Sequence, residues 1–472
     1  MKTPFILATI ASALIAQTSF AADPKEGGRL GPLRREASPK TSQLIGNSSR
    51  VQGAETSPLL GRTRSAAEGY VAHEWGTFTS VQGAEGVQLS WNPLIAADLP
   101  PFVFSTNNPT AKRTGVQLPA FAFASKTGTA QRWGFEPRQR METPVIYFYA
   151  DQPQKVDVAV KFNLGRITEW YPQISENKFG AAGVIFHTMK WTGVELLSGL
   201  KETGLYPKEG KASHYYAARE TDATPLRVTP QQGQAQHEKM LFYRGVGGFT
   251  APLNVSQAGD AIRLKVTEEG VRLADAFLYI VRGDKALLEP LGAIDASDDL
   301  RSVAYDFQKA RPLAEVRADF GKKLHAAIVA GGLYEKEAAA MVKTWDDSWF
   351  GEQGMRVLYT LPQTWSDRVL PLTFSPAPRE IKRVFVGRAE MFTPSQEWAL
   401  LKEVVRYSGA NEADKAKAVK AADSIGLGRF TDVVINRIYQ KIPITVESAQ
   451  ATFGLLEASR PKELPQGWAQ AR

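Results

Sequence analysis

From Tyr70 to about Pro290, polar and apolar positions follow the period of two that strands show; beyond Asp298 the period lengthens to three or four. Lys155 to Phe162 alternates charged or small residues with apolar ones, and Thr143 to Tyr149 is an aromatic and β-branched run. Asp151-Gln152-Pro153-Gln154 between them carries turn chemistry, so the two runs are predicted to form a hairpin. Further strand-like runs lie at Gly183 to Leu197, Leu226 to Val228, Lys239 to Tyr243, Ala261 to Val266 and Arg272 to Val281, separated by Gly, Pro, Asn or Asp. That spacing predicts an antiparallel sandwich, and the lack of helix-sized segments between the runs argues against a parallel βαβ sheet. After Pro312, residues Leu313, Val316, Phe320, Leu324 and Ile328 trace one helix face that closes at Gly331-Gly332. Lys336 to Trp345 continues with helix formers, Met355 to Pro362 and Ile381 to Val386 return to strand, and three helices are expected from Ser395 onward. The predicted fold class is α+β: a β-sandwich-like domain over 70–297 followed by a helix-rich α+β domain over 298–472.

The chain before Tyr70 has a different character. Lys2 followed by the apolar stretch Phe5 to Ala16 and the small-x-small triplet Ser19-Phe20-Ala21 predicts an export signal over 1–21. Residues 22–69 are rich in Gly, Ser, Pro, Lys and Arg without an apolar period, which predicts a disordered linker. No later stretch is apolar for the length a membrane helix needs, so no transmembrane segment is expected in the mature chain. Zero cysteines exclude disulfides, thiolate metal sites and Cys nucleophiles, leaving packing and hydrogen bonds to hold the fold. A formal charge of +8 favours anionic surfaces in general. The cations are scattered and no zinc-finger or RNA-binding signature is present, so no nucleic-acid partner is expected.

Three blocks stand out: His73-Glu74-Trp75-Gly76-Thr77-Phe78-Thr79-Ser80-Val81, Met141-Glu142-Thr143-Pro144-Val145-Ile146-Tyr147-Phe148-Tyr149 and Leu241-Phe242-Tyr243-Arg244-Gly245. Thr344-Trp345 through Phe350 and Val386-Gly387-Arg388 add two shorter ones. Together they resemble blocks of a family of uncharacterised exported bacterial proteins. The resemblance spans nearly all of the chain after Tyr70 and implies a periplasmic or extracellular location; it implies no activity.

Several residues carry candidate chemistry, each beside a structural reading. His73 and Glu74 offer a ligand nitrogen and a carboxylate, as a metal or a proton transfer needs. A His-Glu-x-x-His motif is incomplete, because position 77 is Thr77, and neighbours on a strand point to opposite faces. The structural reading is a buried polar pair that positions the first strand. Glu142 joined with Glu74 or Glu169 would make a glycosidase-like carboxylate pair, with Trp170 as a sugar platform; alternatively Glu142 pairs with Arg138 or Arg140. His214 and Arg219 suit an anionic or sugar ligand, with Trp75 as a further contact, while Arg219 with Asp222 suits a loop-pinning ion pair. Asp346 and Asp347 can face a hard cation, or cap a helix end. His187 and His325 read as ordinary sheet and helix residues, and Gly245-Val246-Gly247-Gly248 as a hairpin or bulge turn.

Nucleophile-elbow, Walker and dinucleotide motifs are missing, and nothing in the sequence names a cofactor. Density in Trp, Tyr and Phe without a complete catalytic signature points to an exported binding or envelope-scaffold protein for a glycan or an anionic polymer. The alternative is an exported hydrolase, polysaccharide-acting, in which Glu74 and Glu142 share acid and base roles and His73 orients a metal or water.

Overall fold

The computed structural model describes residues 69–90, 99–105, 135–180 and 185–441, with breaks at 201, 203, 211–212 and 409–410, and some positions between 445 and 458. The expected signal and nearly all of the expected linker lie outside the described residues. In chain order the strands are β1 (Tyr70–Gln82), β2 (Phe104–Ser105), β3 (Gln139–Ala150), β4 (Gln154–Asn163), β5 (Gly165–Tyr171), β6 (Glu176–Phe179), β7 (Phe186–Leu196), β8 (Leu226–Val228), β9 (Gln236–Glu238), β10 (Leu241–Gly247), β11 (Leu253–Ala258), β12 (Ala261–Val266), β13 (Arg272–Leu273), β14 (Ala276–Arg282), β15 (Lys285–Pro290), β16 (Ile294–Asp295), β17 (Arg301–Ala304), β18 (Arg311–Pro312), β19 (Gly354–Leu361), β20 (Leu372–Ser375) and β21 (Glu380–Met391). The helices are α1 (Ser213–Tyr216), α2 (Leu313–Ala330), α3 (Glu335–Asp346), α4 (Gln363–Val369), α5 (Pro394–Tyr407), α6 (Glu412–Ser424) and α7 (Thr431–Lys441). The mixed α+β class is therefore as expected, with the longer helices gathered in the second half.

Ten strands form one sheet in the order β18-β15-β14-β19-β21-β1-β3-β10-β5-β2, and every neighbouring pair runs antiparallel except β1 with β21. A second sheet, β20-β4-β7-β8-β9 with β6 beside β7, covers one face. Ala72, Phe78, Ile146 and Phe148 of the large sheet meet Val158, Val160, Phe162 and Trp191 of the second in one continuous core. Phe78 lies at its centre, 5.2 Å from Phe385 and 5.5 Å from both Phe249 and Trp365. Such aromatic pairs add about 0.5–1.5 kcal/mol each beyond the area they bury. Helices α2 and α3 cover the opposite face, where Trp75, Tyr147, Tyr279 and Val386 meet Phe320, Leu324, Met341 and Trp345. Val81 and Phe392, at the end of the central strands, seat α5 and α7.

Two expectations are corrected here. β3 and β4 flank the expected turn, yet they do not pair: β3 lies between β1 and β10, whereas β4 lies between β20 and β7. Asp151 to Pro153 is a corner at which the chain changes sheet, and turn residues alone do not distinguish a corner from a hairpin. The boundary drawn at 297/298 also does not divide the large sheet, because β19 and β21 sit at its centre beside β1. Pairing between distant segments leaves no local sequence mark.

The all-buried pattern of β1 follows from this position, with strands on both edges and a layer on both faces. A bulge in β3 opposite Trp75 and Thr77 places Thr143 at φ 49°. Gly76 beside it has no room for a side chain: a Cβ would lie 2.7 Å from the Phe385 ring and 3.1 Å from Pro144. Among the described residues no helix is long and apolar enough to cross a membrane.

Candidate functional site

Alternation along β1 sends His73 and Glu74 to opposite layers. His73 faces the helices, with Nδ1 2.7 Å from Glu337 Oε2 and its ring against Tyr334 and Tyr149. The same carboxylate accepts the Tyr334 backbone N–H at 2.8 Å, which ties the start of α3 to the first strand. Glu74 faces the second sheet. It accepts from Arg383 Nε at 2.6 Å and from the Tyr243 hydroxyl, and Arg383 also reaches Asp367 at 2.7 Å. Burial pushes the Glu74 carboxyl up, against the pull of Arg383 and Tyr243.

Glu142 is on the helix side. Its carboxylate accepts from the Thr79 hydroxyl at 2.7 Å and from Arg429 at 2.8 Å, with Arg140 at 3.2 Å. Burial alone would raise this carboxyl, but Arg429 and Arg140 hold it well below the usual carboxylate range. Glu74 and Glu142 thus lie on opposite faces of one sheet, each inside its own ion-pair set. An acid and a base must flank one scissile bond from a shared cleft, so these two do not form the expected glycosidase pair.

The face that carries Glu142 continues into a larger charged network. Arg388 pairs with Glu390 at 2.9 Å and Glu352 at 2.6 Å, and donates to the Ser348 carbonyl at 3.2 Å. Arg356 pairs with Glu390 at 3.0 Å and donates to the carbonyls of Trp349, Glu352 and Gln353. These carbonyls belong to the π-turn Asp347–Gly351 and the residues after it, where the helix leaves acceptors unpaired. All five blocks singled out in the sequence contribute to this central part of the large sheet or to the turn lying on it. Thr77 Oγ1, buried there, has no partner among the described residues.

The remaining candidates are also held internally. Trp75 and Trp170 are fully buried core residues and offer no ring to a ligand, which corrects their assignment as contacts. Trp170 donates to Gln173 at 3.0 Å. Arg219 donates to both oxygens of Glu238, at 2.9 and 3.0 Å, and to the Pro207 carbonyl at 2.8 Å, and its guanidinium faces Tyr206, Tyr215 and Tyr216. Its partner is Glu238; Asp222 instead pairs with Lys336. His214 Nε2 lies 2.7 Å from Asp347 and its ring lies against Trp345. Asp346 pairs with Arg317, so the two aspartates diverge, and no group of three or more metal-ligating side chains exists among the described residues, at His73 or elsewhere.

His187 is the sheet residue it was expected to be. Its Nδ1 accepts the Ile167 N–H at 2.9 Å, and its other ring nitrogen donates to Asn177. Burial, followed by the charge of Arg166, holds this ring down to about 3 against an ordinary 6.5. The unfolded chain therefore binds a proton that the folded chain refuses. Stability should fall as pH drops from about 6.5 toward 3, at up to about 1.4 kcal/mol per pH unit. Urea unfolding at pH 7, 6 and 5 measures the slope, and His187→Gln should flatten it.

A cleft of about 780 Å³ opens where the β11–β12 and β14–β15 turns meet the start of α5 and the end of α6. Tyr305 and Phe307 supply two half-buried rings to its wall; Gln257, Gln308, Gln353 and Gln396 supply amides, and Asp260, Asp306 and Arg282 supply charge. Arg282 lies over the Phe307 ring at 4.7 Å. Gln353 is fixed by two bonds to the Gly283 backbone, at 2.8 and 3.0 Å. Gln257 donates to the Tyr305 hydroxyl at 3.3 Å, while its carbonyl oxygen has no partner among the described residues. Sequence reasoning missed this cleft, because its walls come from six separate segments of ordinary turn composition.

No family model matches the chain, and no curated protein matches it. Among solved structures it is similar to the Fcho1 mu homology domain of Danio rerio with a bound Eps15 peptide, over 69% of this chain and 98% of that one, at 8% identity and a TM-score of 0.27. A likeness that slight carries neither fold nor function.

Proposed function

We propose that this chain is an exported binding or scaffold protein of the cell envelope that takes a glycan segment in the cleft between the β-turns and α5. One observation carries the reading: half-buried rings and fixed side-chain amides line a space within the roughly 300–1,000 Å³ range of small-molecule sites. Rings supply apolar faces for sugar C–H groups, and amides pair with vicinal hydroxyls. The reading of export rests on Lys2, the apolar stretch Phe5 to Ala16 and the Ser19-Phe20-Ala21 triplet. The +8 formal charge favours the approach of acidic glycans to the chain as a whole, while Asp260 and Asp306 beside Arg282 suit hydroxyl groups inside the cleft.

Titration calorimetry with neutral and uronic-acid oligosaccharides tests the site. Tyr305→Ala and Gln353→Ala should each weaken binding by about tenfold, the effect of losing one ring face or one hydrogen-bond set. Unchanged affinity in both variants would remove the cleft from consideration, and so would failure of the whole panel to bind.

A further inference from the structure

We propose that one end of the second sheet docks on a bilayer surface bearing anionic headgroups. The inference is independent of the cleft and rests on a different part of the molecule. At this end the β4–β5 turn meets the facing ends of β6 and β7. Leu164 N–H bonds the Ile185 carbonyl and Gly180 N–H bonds the Phe186 carbonyl, each at 2.9 Å. Leu164 and Phe179 are 51% and 49% exposed, and Phe186 beside them is half-buried. Single exposed apolar residues are ordinary on any surface. Here three large ones gather at one end of the sheet, Phe179 on the face of buried His187 and Phe186 on the opposite face.

The backbone adds a second observation. Leu164 sits at φ 49°, in the left-handed region that glycine enters freely and a leucine enters at a cost. Half of its surface nevertheless remains exposed. A glycine would serve the turn better, so the leucine is placed for contact outside the chain.

Charge selects the partner. Lys161 Nζ lies 4.8 Å from the centre of the Phe186 ring, and the Arg166 guanidinium lies 5.0 Å from that of Phe179. Lys178 on β6 is 69% exposed, and its neighbour Glu176 is the carboxylate that pairs with it. Apolar side chains at a turn tip with cations behind them match the headgroup boundary of an anionic bilayer, where rings and Leu enter the interface and Lys and Arg meet phosphates. A groove for a protein helix would instead need a continuous apolar stripe.

Co-sedimentation of the full chain with vesicles of phosphatidylglycerol and phosphatidylethanolamine, against vesicles of phosphatidylcholine alone, tests the proposal. Binding to the anionic vesicles is expected, falling with added salt, and Leu164→Gly and Phe179→Ser should each weaken it about tenfold through lost apolar insertion. Leu164→Gly relieves the backbone, so its thermal midpoint should equal or exceed that of the parent chain; loss of binding in that variant then reports the surface and not the fold. Equal retention on both vesicle types, no retention on either, or undiminished binding by both variants would overturn the proposal. Glycan affinity of these variants should be unchanged, so failure of the cleft and failure of the tip are read separately.

Discussion

Replacing Arg388 with alanine is expected to lower the unfolding free energy by about 3–5 kcal/mol, the cost of breaking a buried ion-pair set by removing one of its partners. Arg388 is fully buried and is the shared partner of Glu390 and Glu352. Without it, Glu390 keeps only Arg356, and the Ser348 carbonyl loses a donor. Urea unfolding of the parent and the variant measures the difference directly. A loss below about 1 kcal/mol would place Arg388 among weak surface pairs and contradict its burial.

Glu142→Gln is expected to cost a comparable amount, about 3 kcal/mol, for the opposite reason: two cations, Arg140 and Arg429, lose the anion between them. The sign of its pH dependence follows from the depressed carboxyl. Because the folded-state value lies below the ordinary 4.5, the contribution is present at neutral pH and is lost as pH falls below about 4.5 toward the folded value. Parent and variant should therefore differ most near pH 7 and converge in acid. A catalytic carboxylate behaves otherwise, since its removal tends to leave stability unchanged or improved while activity disappears. Measuring stability and glycan affinity on the same variant separates the two roles, with stability expected to move and affinity to stay.

Local elements were legible where local rules govern them. The helix from Leu313 is fixed by Pro312 before it and Gly331 after it, both visible in the chain, and its apolar face is the one that meets the sheet. Strand positions followed from period and residue type. Pairing was not legible, because β1 selects β21 through a register that joins Glu74 to Arg383, 309 residues along the chain. The polar blocks misled for a related physical reason. In a strand covered on both faces, His, Glu, Thr and Ser occupy interior positions whose partners arrive from remote segments, so they resemble an exposed catalytic edge in sequence. His73 and Glu74 were correctly read as facing apart, since that conclusion needs only the pleat. The cleft was invisible because Tyr305, Gln353 and Gln396 become neighbours only after the sheet and the helices are assembled.

The parallel edge between β1 and β21 also sets a clock for biosynthesis. A ribosome adding roughly 5–20 residues per second needs on the order of 15–60 s to travel from one strand to the other, and through that interval β1 has an open flank. A nascent chain of this kind is committed to slow, late closure, with a sticky ribbon to shield until its last fifth emerges. Truncation before Glu380 should accordingly yield aggregates in place of a smaller soluble fragment.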